Sequence, residues 1–195
     1  MIRSRPHALA AALAGLLVLA AAPGPRPVFP PTRDVAVRYQ ADVRANGAPP
    51  TFLLRYSAAS QQARLDSGAG SYVLVDLRAP QARLVVPAMR LIFDLPAGSG
   101  LEQALSLGGD SRFERAGQET IAGLPCTLWR VNGREANGTA CVTAQGVVLA
   151  AQGRDRQGRA GSVRAIAVAF GPEPPSLFAV PPGMREVRLA SPALP

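Results

Sequence analysis

Cys126 and Cys141 are the residues most able to do chemistry in this chain, and they are its only cysteines. An even number of thiols in an exported chain favours one disulfide. The loop closed would be about 16 residues, for which chain-entropy accounting gives roughly 3 kcal/mol. A redox pair or a metal site is the alternative, but the spacing is not C-x-x-C and metal partners are missing. We therefore expect a structural staple between adjacent antiparallel strands. The single histidine is His7, close to the N-terminus. No histidine follows it, which removes the usual general base, a Ser-His-Asp arrangement and most zinc sites. Ser71 follows Gly68-Ala69-Gly70, which is not a G-x-S-x-G elbow, and no base accompanies it. Glu114 with Glu119, or Asp76 with Asp94, are formal carboxylate pairs. Charges at alternate strand positions more often mark a solvated face. All 21 basic residues are arginine, so Schiff-base chemistry and a P-loop lysine are excluded. We expect no catalytic residue, no metal ligand and no cofactor.

The elements that would carry these residues are strands. Thr127, Trp129 and Val131 alternate with Leu128 and Arg130. Val142 and Val147-Val148-Leu149 flank Ala144-Gln145-Gly146, a hairpin signal. Asn132-Gly133 and Asn137-Gly138 read as turns. Asn137-Gly138-Thr139 also matches a glycosylation sequon, but the turn is the simpler reading. Upstream, Val35, Val37, Tyr39, Ala41 and Val43 alternate with Arg38, Gln40, Asp42 and Arg44. Asn46-Gly47 turns this strand into one with Phe52, Leu54 and Tyr56 on a single face. Ala63 and Leu65, Tyr72 to Val75, Leu84 to Val86 and Leu91 to Phe93 follow, separated by Gly or Pro breaks. Short strands joined by tight turns make an antiparallel meander. Leu101 to Leu107 is the one helical pattern, with Leu101, Ala104 and Leu105 on one face. Val163 to Phe170 reads as a strand, Ser176 to Phe178 as one helical turn, and Glu186 to Leu189 as a short edge strand.

Composition fits this picture. The chain has 195 residues, is 48% hydrophobic, and contains nineteen Pro and nineteen Gly. Residues 1–21 have the form of a secretory signal peptide: Arg3 and Arg5 precede an apolar run from Ala8 to Ala20, with small residues at the expected cut. That run is short for a membrane span, and no second one follows. Residues 22–33 read as a Pro-rich linker, 34–190 as one β-rich domain and 191–195 as a tail. The net charge of +8 suits an anionic surface, and peripheral envelope association is compatible with it. The arginines are scattered, though, and aromatics make up only 5%, so nucleic acid is not an expected partner. The mature protein is expected to be periplasmic, with no transmembrane segment.

Phe52, Leu54, Tyr56, Tyr72, Leu74, Phe93 and Trp129 fall on strand faces. If the sheet curls, these seven line a hydrophobic pocket; the plainer reading is that they fill a core.

Three runs carry a resemblance. They are GQETIAGLPCTLWRV from Gly117, GTACVTAQGVVL from Gly138, and AFGPEPPSLFAVPPG from Ala169. Together they resemble an uncharacterised exported bacterial family related to the LolA/LolB/RseB-like periplasmic lipoprotein-carrier fold. The resemblance spans Asp34 to Val187. It rests on strand order, on the segment holding Gly117, Glu119, Cys126 and Trp129, and on the closing L-F-x-V-P-x-G turn. It implies a strongly curved, half-open antiparallel β-barrel with a hydrophobic concave face and one or two short helices. In carriers of that group the concave face holds acyl chains. The function expected is non-catalytic binding of a lipid, a lipoprotein acyl chain or another apolar ligand. The alternative is an envelope structural or protein-interaction module with a solid core.

Overall fold

The structure is a computed structural model that describes residues 25–42, 50–68, 70–79, 81–95, 111–133, 136–155, 158 and 160–187. The expected leader (1–21), the Asn46-Gly47 turn, the Leu101 to Leu107 helix and the tail (191–195) lie outside the described residues. The described chain forms twelve strands: β1 (Val35–Asp42), β2 (Thr51–Ser57), β3 (Gln62–Asp66), β4 (Tyr72–Asp76), β5 (Gln81–Val86), β6 (Leu91–Leu95), β7 (Arg112–Ile121), β8 (Leu124–Asn132), β9 (Ala136–Val142), β10 (Val148–Asp155), β11 (Ala160–Phe170) and β12 (Arg185–Val187). Two 3-10 turns accompany them, Pro87–Met89 and Pro175–Leu177. The second is the helical turn expected around Ser176.

The strands form one open, curved sheet in the order β12-β6-β5-β4-β3-β2-β1-β11-β10-β9-β8-β7. Two meanders, β1 to β6 and β7 to β11, meet at an antiparallel seam between β1 and β11. The expected edge strand near Glu186 exists, but it runs parallel to β6 rather than antiparallel. A long return from β11 brings the chain back to the far edge in that sense.

Sequence alternation decides which face of each strand is buried. On β1, Val35, Val37 and Tyr39 are buried while Arg38, Gln40 and Asp42 are exposed. Their partners on β2, Tyr56, Leu54 and Phe52, share that face because directly opposed residues project to one side. The register is interrupted on β11 opposite Arg38/Tyr39, on β10 between Val148 and Ala150, and on β7 between Arg115 and Gly117. Such extra residues bend a strand and increase its twist. The outcome is a curl: β7 comes close to β11 although three strands separate them. The main hydrophobic cluster lies inside this curl. It gathers Val35, Val37, Tyr39, Tyr56, Val75 and Ala82 from one meander and Ile121, Cys126, Cys141 and Leu149 from the other.

Cys126 and Cys141 form the expected disulfide, with Cα atoms 5.4 Å apart, and both sit in this cluster at 4% and 1% exposure. Asn137-Gly138 is not a turn. Both residues belong to β9 and pair with Arg154 and Gly153 on β10. Gly138 serves close approach: a Cβ there would stand 2.0 Å from the Gln152 carbonyl oxygen. Ahead of β1, the Pro-rich segment is laid against the β9–β10 turn. The Thr32 amide donates to the Gln145 carbonyl at 3.0 Å. Gly146, with φ +85°, leaves only 2.9 Å between a built Cβ and the Pro30 oxygen, so a side chain there would lift the segment away.

Candidate functional site

Two parallel rows cross the β1–β6 meander on the inner face. The first runs Val35, Tyr56, Ala63, Val75, Ala82, Leu95, each opposite the next. Up to Ala82 its members are 0–3% exposed, which makes it solid core. The second runs Val37, Leu54, Leu65, Val73, Leu84, Phe93 and ends at Val187 on β12. Val37 is buried, but every member from Leu54 onward is only half-buried. At the usual strand spacing, Leu54 to Val187 spans roughly 24 Å. An unbroken apolar row of that length, partly accessible on a curled sheet, is the feature best suited to contact with an apolar molecule.

The structure divides the seven aromatic and apolar residues named from sequence among several surroundings. Leu54 and Phe93 belong to the half-buried row. Phe52 is beside it, stacked on Tyr39 with ring centroids 5.2 Å apart. Tyr56 belongs to the solid row and is 3% exposed. Tyr72 and Leu74 lie on the opposite face, in a separate cluster with Val85, Val180 and Met184. Strand parity is the reason. Val73 and Val75 oppose Leu65 and Ala63, so Tyr72 and Leu74 must project the other way. Trp129 sits in a third cluster with Ala140 and Val142, on the side of β8 opposite Leu128. The seven do not line one hollow. Leu65, Val73 and Leu84, which do belong to the row, were missed by sequence reasoning. Only cross-strand register could have found them.

The far side of β2 to β4 is covered by the chain itself. Arg64 lies over the Tyr72 ring, 3.6 Å from its centroid, and donates to the Leu177 carbonyl at 3.1 Å. It is paired with Asp66 at 2.7 Å, and Asp66 in turn holds Arg55 at 2.9 Å. Arg55 reaches Glu173 at 3.5 Å. Asp34 accepts the amides of Ala58 and Glu173 at 2.8 and 3.0 Å. These contacts dock residues 173–180 so that Phe178 is buried and Val180 covers Tyr72 and Leu74. The L-F-x-V-P-x-G motif is therefore a strap across the back of the sheet.

Two tyrosines of the inner face are held neutral. Tyr39 donates its hydroxyl to the Val148 carbonyl at 2.6 Å, and burial raises its pKa above the ordinary phenol range. Burial also raises Tyr56, with Arg78 acting in the lowering direction and Asp34 adding to the rise. Among the described residues, no group of three or more His, Cys, Asp or Glu could hold a metal ion. None of the described helices is long and apolar enough to cross a membrane.

No family model matches the chain, and no curated protein matches it. Solved structures do. An uncharacterized conserved protein from Thermus thermophilus is similar at 12% identity and a TM-score of 0.54, over 81% of this chain and 91% of that one. A structure of the Pseudomonas aeruginosa MucA/MucB complex is similar at 13% identity and a TM-score of 0.44, over 83% of this chain and 61% of that one. The chain thus spans about three fifths of that match's length. A putative outer membrane lipoprotein-sorting protein domain from Vibrio parahaemolyticus is similar at 11% identity and a TM-score of 0.41, over 74% and 89% of the two chains. At these identities the likeness concerns fold alone. The first of them shares the fold: a strongly curved, unclosed and almost wholly antiparallel sheet, the architecture that the sequence resemblance implied.

Proposed function

We propose that residues 1–21 direct export and are removed, and that residues 34–190 work in the periplasm as one non-catalytic domain. That domain binds an acyl chain or another hydrophobic ligand along the inner face of the sheet. The observation that carries this reading is the half-buried row Leu54, Leu65, Val73, Leu84, Phe93, Val187. Leu54 and Phe93 contact the ligand directly, and Phe52 extends the surface at one end. Tyr56 belongs to the floor beneath it. A row of this kind gives affinity in proportion to apolar area removed from water, with little selection among chain types.

Native mass spectrometry of protein purified from its own envelope tests the reading. A lipid should co-purify with the wild type and be lost from Leu84→Glu, whose charge would stand in the middle of the row. Protein that is always empty, with Leu84→Glu indistinguishable from it, sinks the proposal. The second reading is a protein-interaction module with no small-molecule ligand. It is favoured by the solid packing of the neighbouring row, where exposure does not exceed 3% from Val35 to Ala82. Empty protein from the envelope is its expected result.

A further inference from the structure

The N-terminal segment and the β7–β9 hairpins enclose a second hollow, separate from the inner row. It is a groove of about 590 Å³ that opens to solvent, walled by Arg26, Pro27 and Val28 on one side. Its floor is one face of the sheet. Arg115 opposes Trp129, Gln118 opposes Thr127, and Thr127 opposes Val142, so these five side chains project together. Glu119 is the one carboxylate residue of the lining. By alternation it belongs to the opposite face, opposed to Cys126.

The chemistry of the floor is divided. The Arg115 guanidinium lies 5.3 Å from the Trp129 ring centroid, and no acid pairs with it among the described residues. A guanidinium held over a ring keeps its N–H donors at its edge, free for a carboxylate or phosphate. Gln118 and Thr127 add amide and hydroxyl donors beside it. The other part of the groove is apolar: Pro125, Val142 and, at the rim, Val28, which is 47% exposed. The volume lies within the range of roughly 300–1,000 Å³ usual for ligand sites. We propose that this groove is a second binding site for an amphipathic anion. Arg115, Gln118 and Thr127 hold its carboxylate or phosphate, and Pro125, Val142 and Val28 receive its apolar stem.

Trp129 is the only tryptophan in the chain, so its emission reports on this groove. The full protein would be titrated with decanoate, decyl phosphate, neutral decyl maltoside and inorganic phosphate, all below micelle formation. A saturable change in Trp129 emission is expected with decanoate or decyl phosphate, and the better of the two identifies the head group. Arg115→Ala should raise its Kd about tenfold or more, the usual scale for a lost charge-assisted hydrogen bond. Thr127→Val should weaken binding less and serves if Arg115→Ala fails to fold by circular dichroism. Leu84→Glu, in the other site, should leave the titration unchanged. Equal binding of decyl maltoside, equal binding of inorganic phosphate and decyl phosphate, or an unaltered Kd in both groove variants would each overturn the proposal. So would loss of the signal in a folded Leu84→Glu protein.

Discussion

Tyr39 shows how much a single side chain does in this sheet. Its ring fills the main cluster, stacks on Phe52 and donates a hydrogen bond to the Val148 carbonyl two strands away. Tyr39→Phe keeps the ring and removes that hydrogen bond, so stability should fall by about 1 kcal/mol in urea unfolding. The raised phenol pKa gives the pH dependence. The neutral form is the one the fold accepts, so this stability is complete below the unfolded value of about 10 and is lost as pH rises beyond it. The urea midpoint should drop steeply as pH rises through about 10 in the wild type and less in Tyr39→Phe; equal slopes would show that Tyr39 is not responsible. The disulfide is the other residue-scale device. Reduction, or the paired Cys126→Ala and Cys141→Ala change, should cost about 2–4 kcal/mol, read from the same unfolding curves. Rapid alkylation of the unreduced protein would instead show that the bond is absent. The cysteine pairing was legible in the sequence because strand alternation and turn signals surround it. The role of Gly138 was not. Asn-Gly is a turn signal by local chemistry, and only the closeness of Gln152 across the ladder reveals why glycine stands in a strand.

At the scale of elements, the back strap is the clearest dependency. Residues 173–180 contribute one 3-10 turn and few hydrogen bonds of their own, so their position depends on Arg64, Arg55 and Asp34. Arg64→Ala removes the bond to Leu177 and the cover over Tyr72 while Arg55 still neutralises Asp66. Local opening should then become more frequent than global unfolding. Limited trypsin digestion should cut after Arg185 several-fold faster in the variant, with little change in the global urea midpoint. An unchanged rate would show that Phe178 and Val180 hold the strap without help. The strands themselves were readable from period-two alternation, which is cleanest in β1. In β4, apolar residues occupy both faces, Tyr72 and Leu74 on one and Val73 and Val75 on the other. Alternation cannot then say which pair faces the inside of the curl, and the strap that covers the other pair lies about a hundred residues later in the chain.

For the whole molecule, length and strand rhythm pointed to one antiparallel meander, and the resemblance implied its strong curvature. Its closure pattern was hidden, because β1 beside β11 and β12 beside β6 are partnerships between distant segments. Of the candidate row, Val187 alone depends on such a partnership; Leu54 to Phe93 are joined through the consecutive strands β2 to β6. Each member is an ordinary strand leucine, valine or phenylalanine, and only register makes them neighbours. Both proposed sites follow from the same curl, one on its inner face and one where the N-terminal segment crosses β7 to β9.

The β1–β11 seam has a consequence for biogenesis. A chain made N-terminus first presents its opening strand long before the eleventh is complete. During that interval one flank of Val35–Asp42 stays unpaired, an invitation to foreign strands. Synthesis that stalls before residue 160 should therefore leave a sticky half-sheet, prone to pairing with other chains until β11 arrives.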